Sequence, residues 1–297
     1  MTSRRFDTLS LVLSICFLPG MSLAQSQQAP AAPTPPAPPA AAQQTPKTSA
    51  PDYPDPRTLT FGVFYWLTGE GAGITPDLHG GSQAFDYETL YDLGKPKRGT
   101  PGIEISMPIT RTGSLHFEIV QSKGDGNQTA QVPLDLFGQG FNQGDYLASQ
   151  YGILASKLYL DDLLFPHKFP VAKFRLKSLW EFQYIHMKST IDAPAYDLSG
   201  APETAIGTRQ IFLPTFGIAA EYALTPHTLA RIDASGFGIP NKADIWDASA
   251  TISYRHGAWE IYGGGKALHF KSSPNNVEYV VDTLSGAFVG VRWHWSL

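Results

Sequence analysis

Acid–base chemistry needs a carboxylate or an imidazole aimed at a reacting group, and the chain holds several of both. Asp233, Asp244 and Asp247 fall in one short stretch, with His186 well before it and His269 after it. The eight histidines are scattered, and no two share the i, i+2 or i, i+4 spacing that a local metal site favours. H-E-x-x-H, G-x-S-x-G, a cysteine pair and a Walker loop are all absent. Gly263-Gly264-Gly265-Lys266 has the composition of a phosphate loop without its spacing, and reads as a place of close strand approach. Asp125 and Asn127, beside Gly124 and Gly126, look like half a calcium loop and read as a solvated turn. A lipid hydrolase would need a Ser and a His brought together from different strands, which spacing along one chain does not show. No catalytic, cofactor-binding or metal-ligating residue is assigned on these grounds, no cofactor is expected, and the chain reads as non-enzymatic.

The charged residues are better ordered than the chemistry. Glu104, Glu118, Arg175, Lys177, Glu181, Glu221, Asp247, Arg255, Glu260, Lys266 and Arg292 each alternate with apolar neighbours, which is the two-residue period of a strand. The pattern predicts about ten strands, with roughly 8 to 12 admissible: 57–68, 102–110, 114–122, 149–160, 172–190, 210–224, 228–237, 245–255, 258–270 and 285–297. In the fifth, Phe174, Leu176, Trp180, Phe182 and Tyr184 oppose Arg175, Lys177, Glu181 and Gln183. The fourth is ambiguous in phase. The connections alternate long and short: 69–101 then 111–113, 123–148 then 161–171, 191–209 then 225–227, 238–244 then 256–257, and finally 271–284. A soluble sandwich has no reason to sort its loops in this way. An antiparallel barrel with both termini on one side of a membrane does.

Composition agrees with an all-β membrane protein. Only 16% of residues are charged, against about 25% in soluble domains. The mean hydropathy of -0.15 excludes a polytopic helical membrane protein, but alternation averages away the apolar half of each strand. A net charge of -4 offers no basic surface for nucleic acid. Residues 1–24, with Arg4-Arg5, an apolar Leu9–Leu18 core and Ser22-Leu23-Ala24, read as a cleaved signal peptide that would remove Cys16, the single cysteine. Residues 25–56, nearly all Gln, Ala, Pro, Ser and Thr, read as a disordered periplasmic linker, which leaves 57–297 as the barrel.

The last strand is the most specific segment. Ala287, Val289, Val291, Trp293, Trp295 and Leu297 share one face, opposite Gly290, Arg292, His294 and Ser296. This resembles the terminal strand of bacterial outer-membrane β-barrel proteins, although Leu297 stands where such proteins more often end in an aromatic. The resemblance implies a Gram-negative outer membrane, lipid as the surrounding partner, and periplasmic chaperones and the barrel-assembly machinery during biogenesis. Omptin proteases are ten-stranded barrels of this kind whose Asp and His residues gather at the outer rim. No paired Asp or Asp-x-His motif matches theirs here, so no residue role is carried over. Physically, closure satisfies every backbone group in lipid. Trp66, Tyr159, Trp180, Trp246, Trp259, Trp293 and Trp295 are expected in the interfacial girdles. The charged set Glu104, Glu118, Arg175, Lys177, Glu181, Glu221, Arg255 and Arg292 is expected in the lumen, paired and filling it. The sequence therefore supports a narrow channel, a surface-binding protein or a structural envelope protein, with a rim enzyme or a secreted β-sandwich as alternatives.

Overall fold

The computed structural model describes residues 58–69, 72–75, 91–96, 99–166, 172–193, 203–239, 243–272 and 279–296. The signal-peptide and linker assignments, and Leu297, lie outside these residues. Every described regular element is a strand. Ten of them make the barrel: β1 (Thr58–Thr68), β2 (Thr100–Pro108), β3 (Gly113–Thr129), β4 (Tyr146–Phe165), β5 (Phe174–Ala193), β6 (Glu203–Thr225), β7 (Thr228–Ile239), β8 (Ala243–His256), β9 (Trp259–Lys271) and β10 (Tyr279–Ser296). Each pairs antiparallel with the next, and β1 also pairs with β10, from Thr58 opposite Ser296 to Thr68 opposite Gly286. Closure leaves the wall within the membrane without an edge, as hydrocarbon demands. Following register partners once around the sheet returns to β1 displaced by about 12 residues, a stagger that tilts the strands by about 40°.

The strands are amphipathic along their lower parts. Phe61, Val63, Tyr65 and Leu67 on β1, Trp180 and Phe182 on β5, and Phe212, Phe216 and Ile218 on β6 are exposed outward, Phe212 by 65%. Outward aromatics pair across strands, Trp180 edge-on to Phe216 at 5.3 Å and Phe182 stacked on Phe212 at 5.8 Å. Along β5 the outward run from Phe174 to Tyr184, apolar except for Ser178, at this tilt rises about 25 Å, the height of an outer-membrane belt. Trp259, Trp293 and Trp295 form an edge-to-face chain near the end that carries both strand termini. That end is the periplasmic one by the rule that short turns face the periplasm.

Two aromatics expected in the girdles are inside the barrel. Trp66 is 0% exposed, and its Nε1–H donates to the Gly286 carbonyl at 3.2 Å. Tyr159 lies inside the barrel and stacks on His116 at 4.4 Å. Both fall on the inward phase of their strands, which proximity to a strand end does not reveal.

The upper ends differ from the reading as well. β3 and β4 run on to Thr129 and back to Tyr146, and β6 begins at Glu203, so the wall from β3 to β6 stands well above the belt. Gly124–Asn127, read as a solvated turn, is part of β3, with Asp125 opposite Gln150. Above the belt the interior is a largely apolar core, in which Ser122, Ser149, Ser189 and Asp282 are also buried. Leu93, Leu147, Ile153, Ile185, Met187, Ile191, Ile245, Phe270 and Leu284 are almost wholly buried in it. A small hairpin, Leu134–Leu136 with Gln139–Phe141, contributes the buried Leu136 and Phe141 from the outer loop between β3 and β4. Its turn residues Phe137 and Gly138 both have positive φ (55° and 80°), the conformation that tight hairpins require.

Candidate functional site

Below that core the lumen is a charged chamber. Lys157 and Asp161 on β4 and Arg231 and Asp233 on β7 join the residues named from sequence, because all sit on the inward phase of their strands. Three linked groups and one separate pair result. In the first, Arg231 Nη1 donates to Glu221 at 3.0 Å and its Nε to Asp233 at 3.0 Å. Arg175 and Lys177 reach the same Glu221 at 2.9 and 3.2 Å, and Lys177 also donates to Asp161 at 2.7 Å. His116 lies 3.3 Å from Asp161. In the second, Lys157 Nζ donates to Asp247 at 2.5 Å and lies 3.9 Å from Glu181. Glu181 accepts from Gln183, Thr215 and Ser235 at 3.1, 2.9 and 2.5 Å. In the third, Arg292 donates through two nitrogens to Glu104 and through Nη1 to Glu260 at 2.9 Å. Glu260 also pairs with His294 at 2.6 Å, and the guanidinium lies 3.8 Å from the Tyr262 ring centroid. Lys266 pairs with Glu118 and lies 5.7 Å from the rings of Trp66 and Phe64, at the floor of the apolar core.

Backbone room helps set this geometry. Gly62, inward on β1, is where a Cβ would meet Glu104 Oε1 at 2.6 Å and Arg292 Cγ at 3.0 Å, so its missing side chain makes space for that ion pair. The free volume that remains is a cavity of about 180 Å³, lined by these charges and by Thr60, Ser106, Ser249 and Thr251. That is room for several waters, and less than the pockets of about 300 Å³ or more that hold small-molecule ligands. Buried charges of this kind are tolerable only when paired and hydrogen-bonded, and nearly every one here is bonded to an opposite charge. The chamber can hold water and a self-compensating network. Among the described residues its charges largely compensate one another.

Of the sequence-named lumen residues, Glu104, Glu118, Arg175, Lys177, Glu181, Glu221 and Arg292 are brought together in these groups. Arg255 lines the same cavity lower down, half-buried toward the periplasmic rim, and its Nε donates to the Gly257 carbonyl of its own turn at 3.1 Å. Val289, Val291, Trp293 and Trp295 lie on the outward face of β10, in register with β1 and β9. Lys157, Asp161 and Arg231 escaped the sequence reading. In β4 the inward residues turn from apolar at Ile153 and Ala155 to charged at Lys157 and Asp161, which scrambles the phase of the whole segment. The lower half alone, Lys157-Leu158-Tyr159-Leu160-Asp161, carries the signal. Among the three aspartates of the 233–247 stretch, Asp233 and Asp247 belong to the lumen network. Only Asp244 is at the outer rim, where it meets His269 at 3.2 Å. His186 lies on β5, away from that pair.

No protein-family model and no curated protein matches the chain. The fold matches the crystal structure of the outer membrane protease OmpT from Escherichia coli with a TM-score of 0.51 at 9% identity, over 81% of this chain and 97% of that one. Weaker matches include Ail, the attachment invasion locus protein of Yersinia pestis, with a TM-score of 0.35 at 8% identity over 79% of this chain and 99% of that one. The toluene transporter TodX of P. putida gives a TM-score of 0.31 at 7% identity, over 82% and 91%. A closed ten-stranded antiparallel sheet, an outward apolar belt and both strand termini at the short-turn end give the chain the fold of a bacterial outer-membrane β-barrel.

Proposed function

We propose that this protein is a sealed barrel, a surface-acting or structural component of the outer membrane that does not conduct solutes through its lumen. One observation carries the reading: above the charged chamber the strands and the 134–141 hairpin fill the barrel with a largely apolar core that includes Trp66, Leu136, Met187 and Phe270. A through path would have to break that core, and the chamber beneath it is already neutralised by its own ion pairs. Lipid is the partner that the outward belt fits, and no cofactor is invoked.

Swelling of vesicles that contain the refolded protein, in isotonic arabinose, tests the reading. Swelling no faster than that of protein-free vesicles is expected. Uptake that scales with protein content and falls with sugar size would replace the sealed barrel with a pore.

A further inference from the structure

Asp244, Trp246, His269 and Thr283 meet on the outward face where β8, β9 and β10 run side by side, at the upper edge of the apolar belt. Trp246 is in register with His269, and His269 with Thr283. The Trp246 ring stacks on the imidazole at 5.4 Å and 18°. His269 Nε2 is 3.2 Å from Asp244 Oδ1, and its Nδ1 is 2.7 Å from Thr283 Oγ1. A carboxylate only accepts, so Asp244 beside Nε2 favours the neutral tautomer that carries its hydrogen on that nitrogen. Nδ1 then has the lone pair and accepts from the Thr283 hydroxyl. A hydroxyl that donates to an imidazole, itself oriented by a carboxylate, is an activated nucleophile.

The group is reachable from outside the barrel, with the Asp244 side chain 43% and the His269 side chain 21% exposed. Its depth selects the substrate. Below it on β8 the outward residues are Ala248, Ala250 and the exposed Ile252, which face hydrocarbon. Trp246 lies toward the outer end of the outward face of β8, where interfacial aromatics and the ester carbonyls of membrane lipids lie. Lys271, in register with Asp244, adds a cation at the same rim.

We propose that Thr283, His269 and Asp244 form an acyl-transfer site on the outer surface of the barrel that hydrolyses a carboxylic ester of a membrane lipid. The proposal rests on the sealed-barrel reading, which leaves the outer surface as the place of work. Thr283 Oγ bonds to the ester carbonyl carbon as its proton passes to His269 Nδ1. The tetrahedral intermediate collapses, the C–O bond to the lipid alcohol breaks, and that alcohol leaves with the proton. Water then attacks the acyl-threonine, gives its proton to Nδ1, and the fatty acid departs as Thr283 recovers its hydrogen. Asp244 acts through His269 as a positioning residue.

The test uses the full chain refolded into phosphatidylcholine vesicles that carry a fluorogenic ester phospholipid, with a fluorophosphonate lipid as covalent probe and its adduct mapped by mass spectrometry. The adduct is expected on Thr283. Thr283→Val and His269→Gln should each lower turnover by about 100-fold or more, and Thr283→Ser should stay within about tenfold. Asp244→Asn should fall between these, and Asp244→Glu should recover part of the loss. Heat-modifiable gel mobility confirms that each variant has folded. No adduct at Thr283, or unchanged turnover in folded Thr283→Val and His269→Gln, overturns the site. A vesicle that swells while turnover depends on Thr283 would remove only the sealed-barrel reading. A sealed barrel without turnover would remove only this site.

Discussion

Below Tyr184 and above it, β5 is two different strands in one. In the lower half it points Arg175, Lys177, Glu181 and Gln183 inward and Phe174, Trp180 and Phe182 outward. In the upper half the phase is unchanged but the chemistry is exchanged: Ile185, Met187 and Ile191 point inward while His186, Lys188, Thr190 and Asp192 point outward. β3 does the same, with Phe117 and Ile119 outward below and Gln121, Lys123 and Asp125 outward above. The medium outside the wall changes at this level from lipid to water, and each half answers it. In lipid the apolar face is satisfied outside, so the inward face is free to be polar and the strand keeps a low mean hydropathy. In water the usual order returns, and the upper barrel is built like a soluble protein around its own core.

That comparison can be strained at four places. Lys157→Met removes the cation from Asp247 and Glu181 and should cost about 3–5 kcal/mol, since it leaves buried carboxylates uncompensated; urea unfolding in bilayers reads the loss. Met187→Ala opens a hole in the apolar core and should cost about 2–5 kcal/mol by the same measurement, with no gain in sugar uptake if the core stays shut. Phe182→Arg puts a charge on the lipid face and should cost about 2–4 kcal/mol at mid-membrane, seen as slower assembly and a lower unfolding midpoint. Lys188→Phe, only a few residues further along the same outward face, should change stability by no more than about 0.5 kcal/mol, because that position stands in water. Equal penalties for Phe182→Arg and Lys188→Phe would erase the boundary drawn between them.

The lower half was legible in the sequence because lipid makes every outward position apolar, and a two-residue period over nine or more residues is hard to mistake. All ten strands were found there, while the outer connection 240–242 is shorter than the alternation of long and short loops predicts. The upper half was hidden for a physical reason. Once the outward residues face water, 123–129 is a glycine-rich polar run that looks like a loop. Gly124 is small because the Tyr151 ring fills the space, and a Cβ there would lie 2.3 Å from Tyr151 Cζ. The candidate sites divide in the same way. Lumen charges show as alternation within one strand, whereas the contact among Asp244, His269 and Thr283 depends on the register of three strands, and no local pattern encodes it.

Cysteine accessibility tests the exchange of faces most directly, because Cys16 is the only native cysteine and can be replaced by serine. Phe182→Cys, Gln183→Cys, Met187→Cys and Lys188→Cys, made singly, place a thiol toward lipid, the charged chamber, the apolar core and outer water in turn. With a membrane-impermeant maleimide added to intact cells, Lys188→Cys alone should be labelled. Labelling of Met187→Cys or Gln183→Cys at a comparable rate would put water from outside in the lumen and contradict the sealed, two-halved barrel.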